Sequence, residues 1–291
     1  MIFVTGSTGF VGHSLLNFLN NDKVRVSSRG EENKIDDAKI VIHLAGKAHD
    51  LKKTSNPDEY YQVNTELTQR IFDSFLISDA NVFITLSSVK AVADGVQGQL
   101  TEEHIPNPIT HYGKSKLLAE NYILSKEIPE DKRVYILRPC MIHGPGNKGN
   151  LNLLYKLVSK GIPWPLGAFE NKRSFCSIDN LMFVLNELMR RDDIPSGVYN
   201  VADNDPIGTN MLISLISKSQ MKNTKILTIP KSFVWLLAKI GDCFHLPLNS
   251  ERLEKLTQNY VVSNQKLLNA IGKDLPVSAI DGLKKTLRSF N

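Results

Sequence analysis

The chain has 291 residues, 42 % of them hydrophobic and 22 % charged, and a formal net charge of +5. That composition excludes a disordered or fibrous chain and fits one large domain or a domain with a smaller lobe. No apolar run reaches the roughly 18 residues of a membrane span, the N-terminus lacks the basic region of a signal peptide, and Cys140, Cys176 and Cys243 are too widely spaced for a disulfide framework or a metal site. A cytoplasmic location is therefore expected. Basic residues that come no more than in pairs suit anionic small ligands, not nucleic acid.

The chain opens on an apolar run, Ile2-Phe3-Val4. Thr5-Gly6-Ser7-Thr8-Gly9-Phe10-Val11-Gly12 follows, and then an amphipathic run with Val11, Leu15, Leu16, Phe18 and Leu19. This order predicts strand, glycine turn and helix. Gly6 permits the tight turn, Gly9 removes a side chain where a pyrophosphate approaches the backbone, and Gly12 lets the helix pack on the sheet. The helix N-terminus, with Thr8, Phe10 and Val11 around it, offers free N–H groups and a positive dipole end. A second strand, Lys23–Ser27, leads into Ser28-Arg29-Gly30, with no acid before Glu31. An acid here binds the ribose 2′-hydroxyl of NAD, whereas an arginine pairs with a 2′-phosphate. Ser28 and Arg29 thus favour NADP, with NAD possible; Arg29 as a solvated loop residue and Glu31 in the acid's place is the alternative.

A third strand, Lys39–Leu44, is nearly all apolar in its middle, as a strand buried on both faces should be. It ends in the small residues Leu44-Ala45-Gly46, at the edge where a cofactor lies. Asn64 sits early in a helix over Glu59–Leu76. A fourth strand, Val82–Leu86, ends in Ser87-Ser88, and a helix over Tyr112–Lys126 carries Tyr112 and Lys116 four apart on one face. A fifth strand is Val134–Leu137. The alternation predicts an α/β fold with a doubly wound parallel sheet. A lysine beside a phenol lowers the phenol's pKa and can hold a ribose hydroxyl, and a serine can polarise a carbonyl. Tyr-x-x-x-Lys alone is equally a surface pair; its place after a glycine loop and strand-end serines gives it weight.

The chain resembles the extended short-chain dehydrogenase/reductases, in particular their nucleotide-sugar epimerase, dehydratase and reductase group. The resemblance is carried by Thr5–Gly12, Ile42-His43-Leu44-Ala45, Leu86-Ser87-Ser88, Tyr112-Gly113-Lys114-Ser115-Lys116, Leu137-Arg138-Pro139 and His143-Gly144-Pro145-Gly146. It implies a Rossmann-type domain over residues 1–145, with some later segments returning to it, and a smaller, mainly substrate-binding lobe over 146–291. It implies that Tyr112 is the acid/base, Lys116 its partner and ribose anchor, and Ser88, in preference to Ser87, the hydroxyl on the reacting oxygen. Asn64, Leu44, Ala45, Gly46, Ser87 and Pro139 match positions that line the cofactor. Asn150 and Arg173 match residues that meet a nucleotide diphosphate. Trp164 and Leu166 match a segment along the uracil, with Trp164 as a packing aromatic the other reading. Asp179 resembles a helix cap more than a catalyst. A homodimer through helices like Glu59–Leu76 and Tyr112–Lys126 is implied as well.

Two departures stand out. The tyrosine-glycine expected after the active-site serines is absent, the run being Ser88-Val89-Lys90-Ala91, and His143 replaces a tyrosine before Gly-Pro-Gly. The dehydratase subgroup carries an Asp-Glu pair where this chain has Val89-Lys90, which excludes water loss. The expected reaction is NADPH-dependent reduction of the 4-keto group of a UDP-2-acetamido-2,6-dideoxy-hexos-4-ulose, for surface polysaccharide. The alternative is a 4-epimerase of a UDP-linked or lipid-linked N-acetylhexosamine. A non-catalytic dinucleotide sensor is disfavoured by Tyr112, Lys116 and Ser88 standing in order. The run Phe233–Phe244 is apolar on one face, expected to face the core, with a membrane or a lipid-linked sugar as the other possibility.

Overall fold

The computed structural model describes residues 1–20, 24–27, 35, 37–48, 56–147, 149–244 and 249–290. Ser28 and Arg29, on which the choice of NADP rests, lie outside them. The chain begins with β1 (Ile2–Thr5), α1 (Phe10–Leu19), β2 (Val24–Val26) and β3 (Ile40–His43). A continuous helical stretch follows, made of α2 (Pro57–Tyr61), one π-helical segment (Gln62–Glu66) and α3 (Leu67–Ile77). Then come β4 (Val82–Leu86), β5 (Gln99–Leu100), α4 (His111–Leu124), β6 (Arg133–Pro139) and β7 (Met141–His143). The second half holds α5 (Asn150–Ser159), β8 (Lys172–Arg173), β9 (Phe175–Ser177), α6 (Ile178–Arg190), β10 (Gly197–Val201), β11 (Ile207–Gly208) and α7 (Thr209–Ser219). It closes with α8 (Lys231–Phe244), α9 (Ser250–Thr257), β12 (Val261–Val262), α10 (Gln265–Ile271) and α11 (Ala279–Arg288).

Six strands form one sheet in the order β10-β6-β4-β3-β1-β2, every neighbouring pair parallel. Successive strand residues point to opposite faces, and the apolar runs supply both. Phe3, Val41, Phe83, Val134 and Ile136 enter one buried cluster with Phe72 and Phe75 of α3 and Ile123 of α4. Val4, Ile42, Ile84, Tyr135 and Leu137 enter the other, with Leu15 of α1 and Leu181, Leu185 and Leu188 of α6. The sheet is thus doubly wound, as the alternating pattern predicts. After β2 the chain returns across β1 to place β3 on its other side, so the strand order reverses between β1 and β3. Ligands of open α/β sheets bind outside the carboxyl ends of the strands at such a point.

A third cluster belongs to the second half: Leu151, Trp164, Leu166, Phe169, Phe175 and Leu212, covered by Val234 and Ala238 of α8 and Leu283 of α11. Residues after 146 also return to the sheet, since α6, β10 and Leu267 and Ile271 of α10 join the first core.

Candidate active site

The glycine loop and the end of β3 meet at the reversal point. Gly6 has φ +70°, and a Cβ there would lie 2.4 Å from the Ala45 nitrogen and 2.5 Å from the Leu44 carbonyl carbon. Only glycine fits both the turn and the approach. A Cβ on Gly12 would lie 2.2 Å from the Gly6 oxygen, so α1 packs directly on the loop. Gly9 differs: a Cβ there meets only the Gly6 oxygen, at 3.3 Å. That contact is already tight, so the turn itself disfavours a side chain at Gly9. Thr8 and Gly9 are exposed, Gly9 gives α1 no side-chain cap, and the first turn of α1 holds no acid. Backbone N–H groups and a positive dipole end are left for an anion, as a pyrophosphate requires. Phe10 and Val11 pack against the first core, with the Phe10 ring beside Gly144.

Beyond β3, Ala45–Lys47 is held by Asn64. Its Oδ1 accepts from Lys47 N at 2.8 Å, and its Nδ2 donates to Lys47 O at 3.1 Å and to Ser115 Oγ at 3.0 Å. Thr65 donates to Ser115 O at 2.8 Å. The π-helical segment puts Asn64 and Thr65 side by side against α4, an arrangement found often at functional sites. Asn64 is fully buried and its bonds go to the protein, so it clamps the strand end and α4 together. Gly46 lies over this clamp, where a Cβ would stand 3.0 Å from Lys116 Nζ and 3.1 Å from Asn64 Oδ1. Beneath it, Thr5 Oγ1 accepts from Ala45 N at 3.2 Å, which leaves its proton for His43 Nδ1 at 2.7 Å. Thr68 spends its proton on Asn64 O at 2.8 Å, so His43 Nε2 donates to Thr68 at 2.9 Å. His43 is thereby a neutral Nε2–H tautomer, and burial, with the Lys116 charge second, drops its pKa to about 3.

α4 starts at a Thr110 cap whose hydroxyl accepts from Gly113 N at 3.1 Å. A Cβ on Gly113 would lie 2.4 Å from Lys90 O, so the start of the helix presses on the turn after β4. Here Ser88 Oγ accepts from Lys90 N at 3.2 Å, and its hydroxyl is a close enough neighbour of Tyr112 to act on the phenol. The Tyr60 ring stands edge-on to Tyr112 at 6.2 Å. Burial raises the Tyr112 pKa above its ordinary value, and the nearby Ser88 hydroxyl opposes it. This corrects the expectation of a phenol lowered by lysine: in the protein alone, burial dominates and keeps Tyr112 protonated. Lys116, one turn on, is buried and donates to Leu86 O at 2.8 Å. Burial pulls its pKa down to about 8 against the attraction of Glu120.

Ser87 points away from this cluster. Its hydroxyl donates to Glu120, which a buried Arg138 grips with Nε at 3.0 Å and Nη2 at 2.5 Å. Sequence reasoning quoted Arg138 only as part of a family match and missed Glu120. The signal was present: Tyr112, Lys116 and Glu120 repeat every four residues on one helix face. Pro139 ends β6, buried beside them.

On the substrate side, Arg173 bonds the Lys255 and Gln258 carbonyls, and its charge acts on Lys90. Lys90 Nζ donates to Asp94 O at 2.7 Å and lies 4.4 Å over the Tyr260 ring. The structure thus joins Arg173 to the turn that carries Ser88, gives Lys90, quoted from the sequence only as a motif departure, a place there, and adds Tyr260, which the sequence did not single out. Asn150 is the first residue of α5. Trp164 and Leu166 are buried in the third core, bridged to Ile226 and Thr228. His143 is fully buried on β7, with Nδ1 2.8 Å from Thr286 Oγ1, which fits a packed residue. Asp179 does not cap α6; Ser177 does, and Asp179 pairs with Lys285 at 2.8 Å.

Residues 2–202 match the model of the NAD dependent epimerase/dehydratase family. The chain belongs to that family. It is an oxidoreductase-type enzyme of the extended short-chain dehydrogenase/reductase group. A UDP-glucose 4-epimerase of Vibrio cholerae is 29 % identical over 99 % of this chain and 95 % of its own length. The N-acetyl-alpha-D-glucosaminyl-diphospho-ditrans,octacis-undecaprenol 4-epimerase of Escherichia coli O157:H7 is 26 % identical over 99 % of this chain and 94 % of its own length. Among solved structures, RMD from Pseudomonas aeruginosa complexed with NADPH superposes with a TM-score of 0.75 at 21 % identity, over 99 % of each chain, a likeness of fold.

Proposed function

We propose that this family member reduces the 4-keto group of a UDP-2-acetamido-2,6-dideoxy-hexos-4-ulose, with NADPH as the favoured reductant. The observation that carries the reading is that the start of α4, with Tyr112, presses on the turn that carries Ser88, at the sheet edge shared with the glycine loop, with Lys116 one turn away. The glycine loop, the N-terminus of α1 and the Leu44–Gly46 strand end would hold the dinucleotide, with Ser28 and Arg29 at its 2′-phosphate. When bound, the reduced nicotinamide supplies a hydride to the sugar's C4. Tyr112, kept protonated by burial, gives its proton to the developing alkoxide. Ser88 hydrogen-bonds the same oxygen, and Lys116 places a positive charge beneath the phenol and the ribose. Arg173 and Lys90 bring positive charge to the side where the diphosphate would lie, with Asn150 at the start of α5. Trp164 and Leu166 would back the uracil segment from within the lobe.

The choice of reductase rests on the sequence at Arg29 and on the Val89-Lys90 pair, and the N-acetyl group on Ser87-Ser88-Val89-Lys90 and Gly161-Ile162-Pro163. A second reading, a 4-epimerase of a UDP-linked or lipid-linked N-acetylhexosamine, is favoured by the two full-length relatives, both named as 4-epimerases. The deciding experiment offers the purified protein NADPH and freshly made UDP-4-keto-6-deoxy-N-acetylglucosamine. Stoichiometric loss of NADPH absorbance supports the reductase. Interconversion of UDP-N-acetylglucosamine and UDP-N-acetylgalactosamine with no added cofactor overturns it in favour of the epimerase.

A further inference from the structure

Helix α8 contradicts the expectation that its apolar face turns inward. The residues it buries are small or medium: Val234, Ala238 and Gly241. The large ones, Phe233, Leu236, Leu237, Ile240 and Phe244, stay exposed, Phe233 by 51 %, Leu236 by 54 % and Phe244 by 72 %. Their spacing, i, i+3, i+4, i+7 and i+11, makes them a single stripe along the helix. A stripe of this kind marks an interaction surface, not scattered exposure.

Charge identifies what covers it. From Pro206 to Gly241 the chain has five lysines (Lys218, Lys222, Lys225, Lys231 and Lys239) and no aspartate or glutamate. Residues 150–169, which pack beneath α8 in the third core, add Lys156 and Lys160 and again no acid. Asp242 is the one acid of α8, on the helix's other side, and its carboxylate accepts from Ser250 N at 2.9 Å. The neighbouring α9 sets Glu251 and Glu254 against Arg252 and Lys255, so the lysines of residues 206–241 leave the region net positive, and an apolar stripe with such an excess has the pattern of a helix lying in the headgroup layer of an anionic bilayer. A second copy of this chain fits less well, because a two-fold contact would set lysine-rich surfaces against each other. Among the described residues no helix is long and apolar enough to cross a membrane, so α8 would lie on the surface.

We propose that the small lobe docks on an anionic phospholipid surface through the exposed stripe of α8. The helix covers the core that contains Trp164, Leu166 and Phe169, and Lys231 lies 5.7 Å over the Phe169 ring. Docking would therefore hold the lobe carrying the candidate substrate segment at the bilayer, where a sugar diphosphate carried on a lipid is presented. That consequence for the substrate rests on the second, lipid-linked reading above; the docking does not.

The test is co-sedimentation of the full chain with vesicles of phosphatidylcholine, with and without phosphatidylglycerol. Binding is expected to the mixed vesicles, weakening as salt rises. The Leu236→Ser/Ile240→Ser double variant should bind at least about tenfold more weakly with an unchanged circular dichroism spectrum. Cys243 is exposed at the end of the stripe while Cys140 and Cys176 are buried, so an environment-sensitive dye on Cys243 should shift to the blue on the mixed vesicles. Absence of binding, or binding that the double variant leaves unchanged, overturns the proposal. So does a wild-type dimer that the variant converts to monomer in light scattering, which would give the stripe to a second copy. None of these readouts needs turnover, so failure of docking and failure of the proposed reaction are separable.

Discussion

At the sheet edge, polar groups are buried and matched. Thr5, His43, Thr68, Asn64 and Ser115 run in one hydrogen-bonded chain from β1 to α4, and Arg138, Glu120 and Ser87 form a second network behind Lys116. On α8 the opposite holds: large apolar groups face outward and small ones face in. Buried polar networks are costly unless every member is satisfied, and large exposed apolar stripes are costly unless something covers them. The first region is the mould that we propose for a reacting oxygen and a cofactor. The second is the face that we propose a lipid surface covers. One chain thus carries a preorganised polar cluster at its sheet edge and an exposed apolar stripe over its third core.

The largest effect is expected where the mould meets the chemistry. Tyr112→Phe removes the proton donor and leaves the ring packed on Tyr60. Turnover should fall by about 10²–10⁴-fold, while dinucleotide binding, followed by fluorescence, stays intact. Equal loss of binding would make Tyr112 a packing residue and break the contrast at its centre.

Next is the network behind it. Arg138→Leu leaves the Glu120 carboxylate buried without its guanidinium, which should cost about 3–5 kcal/mol in urea unfolding. The Glu120→Leu/Arg138→Met double variant should recover part of that loss, because the stranded carboxylate is gone while Ser87 loses its acceptor and Lys116 a counter-charge. A double variant as unstable as the single would mean that packing volume, not the stranded charge, sets the cost.

A pH profile sharpens the comparison further. Lys116 has its pKa lowered to about 8, by burial first. It is an ammonium below that value and a neutral amine above it, so kcat/KM, which reports the free enzyme, should decline from near pH 8 upward by as much as about tenfold per unit. Glu120 opposes the shift. Glu120→Gln should therefore move the alkaline limb to lower pH, and an unmoved limb would assign the titration elsewhere.

How much of this was legible follows from what a linear pattern can carry. β4 was read residue for residue as Val82–Leu86, because a strand buried on both faces leaves a continuous apolar run between turn signals. The placement of Tyr112 and Lys116 on one helix and of the three glycines in the first turn was legible, because spacing fixes it. The π-helical segment was not: Gln62-Val63-Asn64-Thr65-Glu66 continues a helical pattern, and only the fold, by drawing Asn64 and Thr65 together onto Ser115, uses the extra residue. Nor was the orientation of α8 legible. Periodicity gives a helix its apolar face but cannot tell core from solvent, and here the face of Val234, Ala238 and Gly241 turns inward because it allows close approach to the lobe.

The smallest effect is expected at the seam between the two halves. Asp179, in the first turn of α6, receives both hydrogen bonds of Lys285 from α11 at 2.8 Å, but the pair is open to solvent, with 33 % and 56 % of the side chains exposed. High dielectric weakens the attraction, and holding the lysine costs rotamer entropy. Ser177 already caps α6, and an asparagine at 179 retains an acceptor near the helix N-terminus. Asp179→Asn should therefore cost less than about 1 kcal/mol and leave kcat unchanged. A clear loss of kcat at unchanged stability would place Asp179 in the chemistry and bring the seam into the site.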